Sequence, residues 1–199
     1  MYCCVNHLPL VKVALEPWEG RMDLDYFLKE TLGKSTQQQR FYHFTDRKNL
    51  PLIRANGLIA TSGLRSRNLF DGVKTGGDAL SLQSDAAKGT DKYVCLCFRP
   101  NHPMAHVAMN DGRKLDPVYL EIDPAVIKLA GVMITNAPSN QNGVQRIAAA
   151  SALDGLDLEV LYKRTDWNDA AIKARLQTAE KYEILIPSTL DKRYIVGGL

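Results

Sequence analysis

Near its C-terminus the chain reads Lys181-Tyr182-Glu183-Ile184-Leu185-Ile186-Pro187. Four of these seven residues are aromatic, β-branched or aliphatic, and a proline closes the run, which predicts a strand. Glu183 falls in the middle of it. A carboxylate on an otherwise apolar strand costs free energy unless it is paired, solvated or used. Two readings follow: a glutamate at a sheet edge facing water, or a functional acid. The rest of the chain decides between them.

Working outward, further strands are predicted at Arg40 to Thr45, where aromatic residues alternate, and at Asp91 to Arg99, which contains Tyr93-Val94-Cys95-Leu96-Cys97-Phe98. Others fall at Val118 to Ile122, Gly131 to Thr135 and Arg193 to Val196. Helices are predicted from Asp23 to Leu32, capped by Asp23 and ended by Gly33, and after Asp46, where Asn56-Gly57 makes a left-handed stop. Further helical turns are predicted at Ala125 to Leu129, Arg146 to Leu153 and Ala170 to Ala179. Residues 62–78 are rich in Gly, Ser, Arg and Asn and predict a long surface loop. Ala79 to Gln83 reads as a short strand or turn. Strands scattered among short helices favour an α+β domain with a mixed sheet.

The 199 residues suit one domain with a small appendage. Residues 1–39 read as an N-terminal extension with one helix, a short β-like run at Leu10 to Leu15, and a polar linker from Lys34 to Arg40. Residues 40–199 form the main domain. A hydrophobic fraction of 45% with 24% charged residues supports an ordinary core. The formal charge of +3 permits a nucleic-acid partner without requiring one. No apolar run approaches the roughly 20 residues of a membrane helix, and the N-terminus lacks the marks of a signal peptide. The adjacent Cys3-Cys4 and the alternating Cys95 and Cys97 are poorly spaced for zinc or a disulfide. A reduced, cytoplasmic protein is expected.

His43 ends a strand just before a helix cap, followed closely by Thr45. It fits either an imidazole satisfied in the core or one presented at a cleft mouth. His102 and His106 are four apart but lack a third ligand, so no metal is expected. No glycine-rich phosphate loop, G-x-S-x-G or H-E-x-x-H occurs. Arg65, Arg67, Lys74, Lys88, Lys92 and Arg99 bias the middle of the chain towards positive charge. They read as a solvated face or as a phosphate-binding one.

Tyr42-His43-Phe44-Thr45, Asn49-Leu50-Pro51 with Ile53, and Gly57-Leu58-Ile59 resemble the opening of the DarT family. The order continues through Tyr93-Val94 with Phe98, Pro103-Met104, Val118-Tyr119-Leu120, Ile134-Thr135-Asn136, Trp167, and Ala179 with Tyr182 to Pro187. The resemblance covers roughly residues 40–199. It implies an ADP-ribosyltransferase-like split mixed β-sheet core with peripheral helices, and NAD as co-substrate in the cleft. By the resemblance Glu183 is the catalytic carboxylate, His43, Phe44 and Thr45 hold NAD, and Leu52 and Ala60 line the pocket.

That family carries an assisting arginine between its first histidine and the Tyr-Val strand. Here the neighbourhood is Asp78-Ala79-Leu80-Ser81-Leu82-Gln83-Ser84, without arginine. Ser81 and Gln83 are expected to take part of its role at the cofactor, or Arg65 and Arg67 to reach in. Lys181, two before Glu183, argues against a protein arginine as acceptor and suits a phosphate. Trp167 and Tyr182 are candidates for stacking on a base. The resulting expectation is transfer of ADP-ribose onto a base of single-stranded DNA, with RNA as the close alternative. The resemblance further implies the toxin of a toxin–antitoxin or phage-defence system, neutralised by an antitoxin protein. An RNA 2′-phosphotransferase-like enzyme and an inactive nucleotide-binding or interaction module are the competing readings.

Overall fold

The structure is a computed structural model and describes residues 22–199. The expected run at Leu10 to Leu15 and the Cys3-Cys4 pair lie outside the described residues. In chain order the elements begin with α1 (Leu24–Tyr26), which runs into a π-helical turn (Phe27–Leu32). They continue with β1 (Phe41–Asp46), α2 (Leu50–Asn56), β2 (Leu58–Ile59), α3 (Thr61–Ser66), α4 (Ala79–Lys88), β3 (Tyr93–Cys97) and α5 (Pro103–Asn110). Then follow β4 (Pro117–Ile122), β5 (Met133–Thr135), β6 (Ile147–Ala148), α6 (Ala149–Ala152), α7 (Leu158–Tyr162) and α8 (Ala170–Ala179). The chain closes with β7 (Glu183–Pro187), β8 (Thr189–Leu190) and β9 (Ile195–Gly197).

Seven strands form one sheet in the order β6-β5-β7-β3-β1-β4-β9, and β2 pairs with β8 separately. Among the described residues every ladder is antiparallel, so the α+β class holds there without mixing of strand directions. The sheet is split at its middle. β1 meets β4 in six residue pairs but meets β3 at a single pair, Tyr42↔Cys97. β3 and β7 stay in register over five pairs, Tyr93↔Pro187 through Cys97↔Glu183.

Residues opposite one another in a ladder point to the same face. One face is therefore Phe41, Leu96, Leu120, Ile122, Ile134, Ile184 and Ile186, each at most 1% exposed. That alternation, read off β-branched and aromatic residues, is what fixes the register. The helical turn after α1 packs on this face: Phe27 stacks on Phe41 with centroids 6.4 Å apart and meets Tyr162 edge-on at 5.8 Å. Phe41 also meets Phe98 edge-on at 5.6 Å. Truncating this central ring in Phe41→Ala is expected to cost about 3–5 kcal/mol. A lowered denaturant midpoint with an unchanged m-value checks this.

Three stretches differ from expectation, one being Arg146 to Leu153, where β6 (Ile147–Ala148) and the short α6 stand in place of one helix. Residues 62–78 hold α3 and a 3₁₀ turn (Phe70–Gly72) instead of one long loop. Ala79 to Gln83 is the first half of α4, whose N-terminus is capped by the Asp78 carboxylate accepting from Ser81 N–H. The helix contains no fully buried residue, so no apolar stripe announces it. Gly57 ends α2 with φ +76°, where a Cβ would stand 2.3 Å from the Leu190 carbonyl oxygen, so only glycine fits.

Candidate active site

Glu183 is the first residue of β7, not a mid-strand one. Its neighbours are Cys97 on β3 and Thr135 on β5. Thr135 leads into the loop that carries Ser139, whose backbone N–H donates to Glu183 Oε2 at 2.9 Å. The other oxygen, Oε1, lies 3.8 Å from His102 Nε2, and the glutamate side chain is 12% exposed. Burial pushes the Glu183 carboxyl above the ordinary glutamate value, hydrogen bonds from Ser139 oppose that, and the Asp85 charge adds to it. Such a displaced carboxylate in a polar recess is the pattern of a functional acid.

His102 caps the N-terminus of α5: its Nδ1 accepts from Met104 N–H at 3.2 Å. An accepting Nδ1 leaves the neutral ring's proton on Nε2, the nitrogen that faces Glu183. The ring lies on Phe44, 5.4 Å between centroids and 21° between planes, and the His102 backbone N–H donates to the Tyr119 hydroxyl at 3.1 Å. Burial lowers its pKa to about 4, so near neutral pH it meets Glu183 as a neutral donor. His106, by contrast, is exposed and pairs with Asn101 Oδ1 at 2.9 Å. Among the described residues, no group of three or more His, Cys, Asp or Glu is placed to hold a metal.

His43 stands where the sheet splits. With β1 leaving β3 after Tyr42, the Cys95 carbonyl accepts from the His43 ring, Nδ1 to O 2.9 Å, instead of from a continuing ladder. A carbonyl partner puts the proton on Nδ1 and leaves Nε2 as an acceptor. Burial holds the ring's pKa below that of free histidine despite this bond. Cys95 and Cys97, the residues reached by His43 and Glu183, are two apart on β3.

Beside His43 is a cavity of about 80 Å³ lined by Thr45, Asn49, Leu52, Ile53, Gly57, Leu58 and other apolar residues. Asn49 Nδ2 donates to Thr45 Oγ1 at 3.0 Å and to the Lys74 carbonyl at 2.8 Å, while its Oδ1 accepts from Lys74 N–H at 3.0 Å. The Thr45 oxygen already accepts, so its proton is available for donation into the cavity.

The remaining expected site residues are dispersed. Phe44 points to the Glu183 face, under His102. Ala60 is buried in the core and is not among the cavity's lining residues. Ser81 lies in the first turn of α4 and Gln83 is exposed on it; the residues of this helix that reach the Ser139 loop are Ser84, Asp85 and Lys88. Arg65 is exposed over the Phe70 ring at 4.8 Å, and Arg67 is exposed at the end of α3. Lys181 is exposed. Trp167 is 39% exposed, with the Arg99 guanidinium 5.3 Å from its ring centroid. Tyr182 is buried against Phe98, 6.5 Å between centroids, and so is closed to stacking on a base.

Sequence reasoning passed over Ser139, Asn49 and the pairing of His102 with Glu183. A polar residue before Pro103 signals a helix cap and marks His102 in retrospect. Nothing local marks Ser139.

A family model described as ssDNA thymidine ADP-ribosyltransferase, DarT, matches residues 42–197. The chain belongs to the DarT family of NAD-dependent ADP-ribosyltransferases. No curated protein matches it. Among solved structures it is similar to Thermosipho africanus DarTG in complex with ADP-ribose, at 17% identity and TM-score 0.60, covering 78% of this chain and 42% of that one. It is also similar to Thermus sp. 2.9 DarT in complex with ADP-ribosylated ssDNA, at 17% identity and TM-score 0.56, covering 78% of each chain. The same protein in complex with NAD+ gives 18% identity and TM-score 0.52, covering 80% of this chain and 81% of that one.

Proposed function

We propose that this protein transfers ADP-ribose from NAD onto a base of single-stranded DNA, with Glu183 as the catalytic carboxylate. One observation carries the reading: a partly buried carboxylate and a partly buried neutral imidazole approach the same strand, β3, at positions two residues apart, where the sheet is split. The pleat puts His43 and Thr45 on one face of the sheet and Glu183 on the other. We take the place where β1 parts from β3, after a single residue pair, as the passage between the two faces. A dinucleotide can run through it with one ribose at His43 and Thr45 and the scissile bond at Glu183. The acceptor Nε2 and the donor hydroxyl of Thr45 complement the hydroxyls of a ribose. The 80 Å³ cavity holds no more than one ring, so the rest of the ligand lies along the gap.

Cleavage of a nicotinamide–ribose bond builds positive charge on the sugar, as in glycoside cleavage. A fixed anion facing that carbon binds the transition state more tightly than the ground state. Ser139 N–H holds the carboxylate in place and Phe44 holds His102 beside it. The family match and the Thermus complex with ADP-ribosylated ssDNA support the DNA acceptor. The Thermosipho DarTG neighbour supports a neutralising antitoxin as partner. We assign residues 22–39 as a cover added to the domain of residues 40–199; the burial of Phe27 and Leu32 on the sheet supports this.

The test is release of nicotinamide and incorporation of label from NAD, with single-stranded DNA, RNA and protein offered in parallel. Label in DNA is the expected result. Label in RNA alone reassigns the acceptor. Neither release nor label with any acceptor overturns the reading in favour of a binding module.

A further inference from the structure

A second, larger cavity of about 470 Å³ lies on the loop that holds Glu183 through Ser139 and shares no lining residue with the one at His43. Its wall includes Ser139, the residue that holds the Glu183 carboxylate, together with Lys88 from α4, Arg146 just before β6, and the amides of Gln141 and Asn142. The volume is in the range of ordinary ligand pockets. Its electrostatics are unusual. Lys88 Nζ donates to the Asn140 carbonyl, and Arg146 Nη2 donates to the Lys88 carbonyl at 2.8 Å and to Thr90 Oγ1 at 2.6 Å. The Arg146 guanidinium also lies over the Tyr93 ring, 5.5 Å from its centroid. These partners are all neutral, and among the described residues neither cation is in an ion pair. Asp85, one turn before Lys88, feels both cations and the Asp91 charge, and its half-buried carboxyl is engaged by Asn140. Two cations therefore line a common space with Ser139, the residue that holds the acid.

We propose that this cavity is the acceptor's phosphate site: Lys88 and Arg146 bind a backbone phosphodiester of the single strand next to the nucleotide that enters at Glu183. The inference rests on the acceptor proposed above. Two cations fixed by neutral backbone partners are preorganised for one phosphate and lose little freedom on binding it. The assignment also places the positive charge that the Ser81–Gln83 neighbourhood lacks at Lys88, at the end of the same helix. NAD carries phosphates too, but one of its riboses is assigned to the His43 cavity, and the cationic cavity lies on the Ser139 side of the carboxylate.

The test uses the full chain with Lys88→Gln, Arg146→Gln, the double variant and the charge-preserving Lys88→Arg. The first readout is binding of a fluorescent thymidine-rich single-stranded oligodeoxynucleotide to Glu183→Gln protein, without NAD, across a salt series. Each cation removed is expected to weaken binding and to flatten the slope of log K against log salt by about 0.7. Lys88→Arg is expected to retain both. The second readout is the apparent KM for the oligonucleotide and for NAD in the otherwise native protein. The expected result is a raised KM for the oligonucleotide with that for NAD unchanged. A raised KM for NAD alone moves the pyrophosphate into the cavity and overturns the proposal, as does an unchanged salt slope in variants that remain folded by circular dichroism. The binding arm needs no turnover, so a protein that binds the oligonucleotide through these cations but labels nothing separates failure of the enzymatic reading from failure of this one.

Discussion

Glu183→Gln is expected to lower ADP-ribose transfer by about 10²–10³-fold or more while leaving the fold intact. The glutamine retains the volume and an oxygen that can accept from Ser139 N–H, so the loop after β5 keeps its anchor. What is lost is the negative charge opposite the developing ribosyl cation. Stability moves the other way. The folded carboxyl titrates above its unfolded value, so the wild type's stability falls as pH rises through the raised pKa. The glutamine variant has no such fall and is expected to be at least as stable at neutral pH. Single-turnover transfer measured beside thermal unfolding at two pH values tests both halves. A folded Glu183→Gln protein with wild-type transfer would remove this residue from the chemistry.

His102→Asn gives the second large effect. Asparagine is a good helix cap and can still accept from Met104 N–H, so α5 keeps its N-terminus. The imidazole that fills the space between Phe44 and Glu183 disappears. In the wild type, Ser139 holds one carboxylate oxygen and the His102 Nε2–H faces the other at 3.8 Å, a separation that tightens readily when a site closes on its ligand. Freeing one side of the carboxylate is expected to cost up to about 10²-fold in transfer rate through misplacement alone. A donor to the ionised carboxylate favours ionisation, so its loss is expected to move the acid limb of the pH–rate profile upward. The His102 pKa is depressed from 6.5 to about 4, so the wild type loses stability as pH falls through that window, because the unfolded chain binds the proton first. The asparagine variant loses less there, and His43, also held below its free value, still contributes. An unshifted acid limb with a native unfolding profile would reduce His102 to a helix cap.

Much of this architecture is legible residue by residue. β1, β3, β4, β5 and β7 sit where aromatic and β-branched residues alternate, because the pleat that buries every second side chain is a local property of a strand. The caps at Asp23, Asp46 and Asp78 are local as well, and the first two were readable. α3 and α4 were not. Their small polar residues carry no periodic apolar stripe, and α4 is held by its Asp78 cap and by contacts of Ser84 and Lys88 with the Asn140 carbonyl, which lies more than fifty residues downstream.

The same division runs through the site. Glu183 and His43 were marked by their chemistry, as a carboxylate and an imidazole on apolar strands. Thr45 and Leu52 were named from resemblance and do line the small cavity with His43. Local sequence carries no sign that β1 breaks from β3 after one residue pair, that Ser139 returns to hold the acid, or that His102 and not His106 faces it. Nor does it separate Lys88 and Arg146, which share a cavity beside the acid, from Arg65 and Arg67, which stand exposed. Alternation and capping require only a few neighbouring residues to agree. The polar contacts that make a site require segments forty to a hundred residues apart to meet, and it is burial of the Phe41–Leu96–Ile184 face that brings them together.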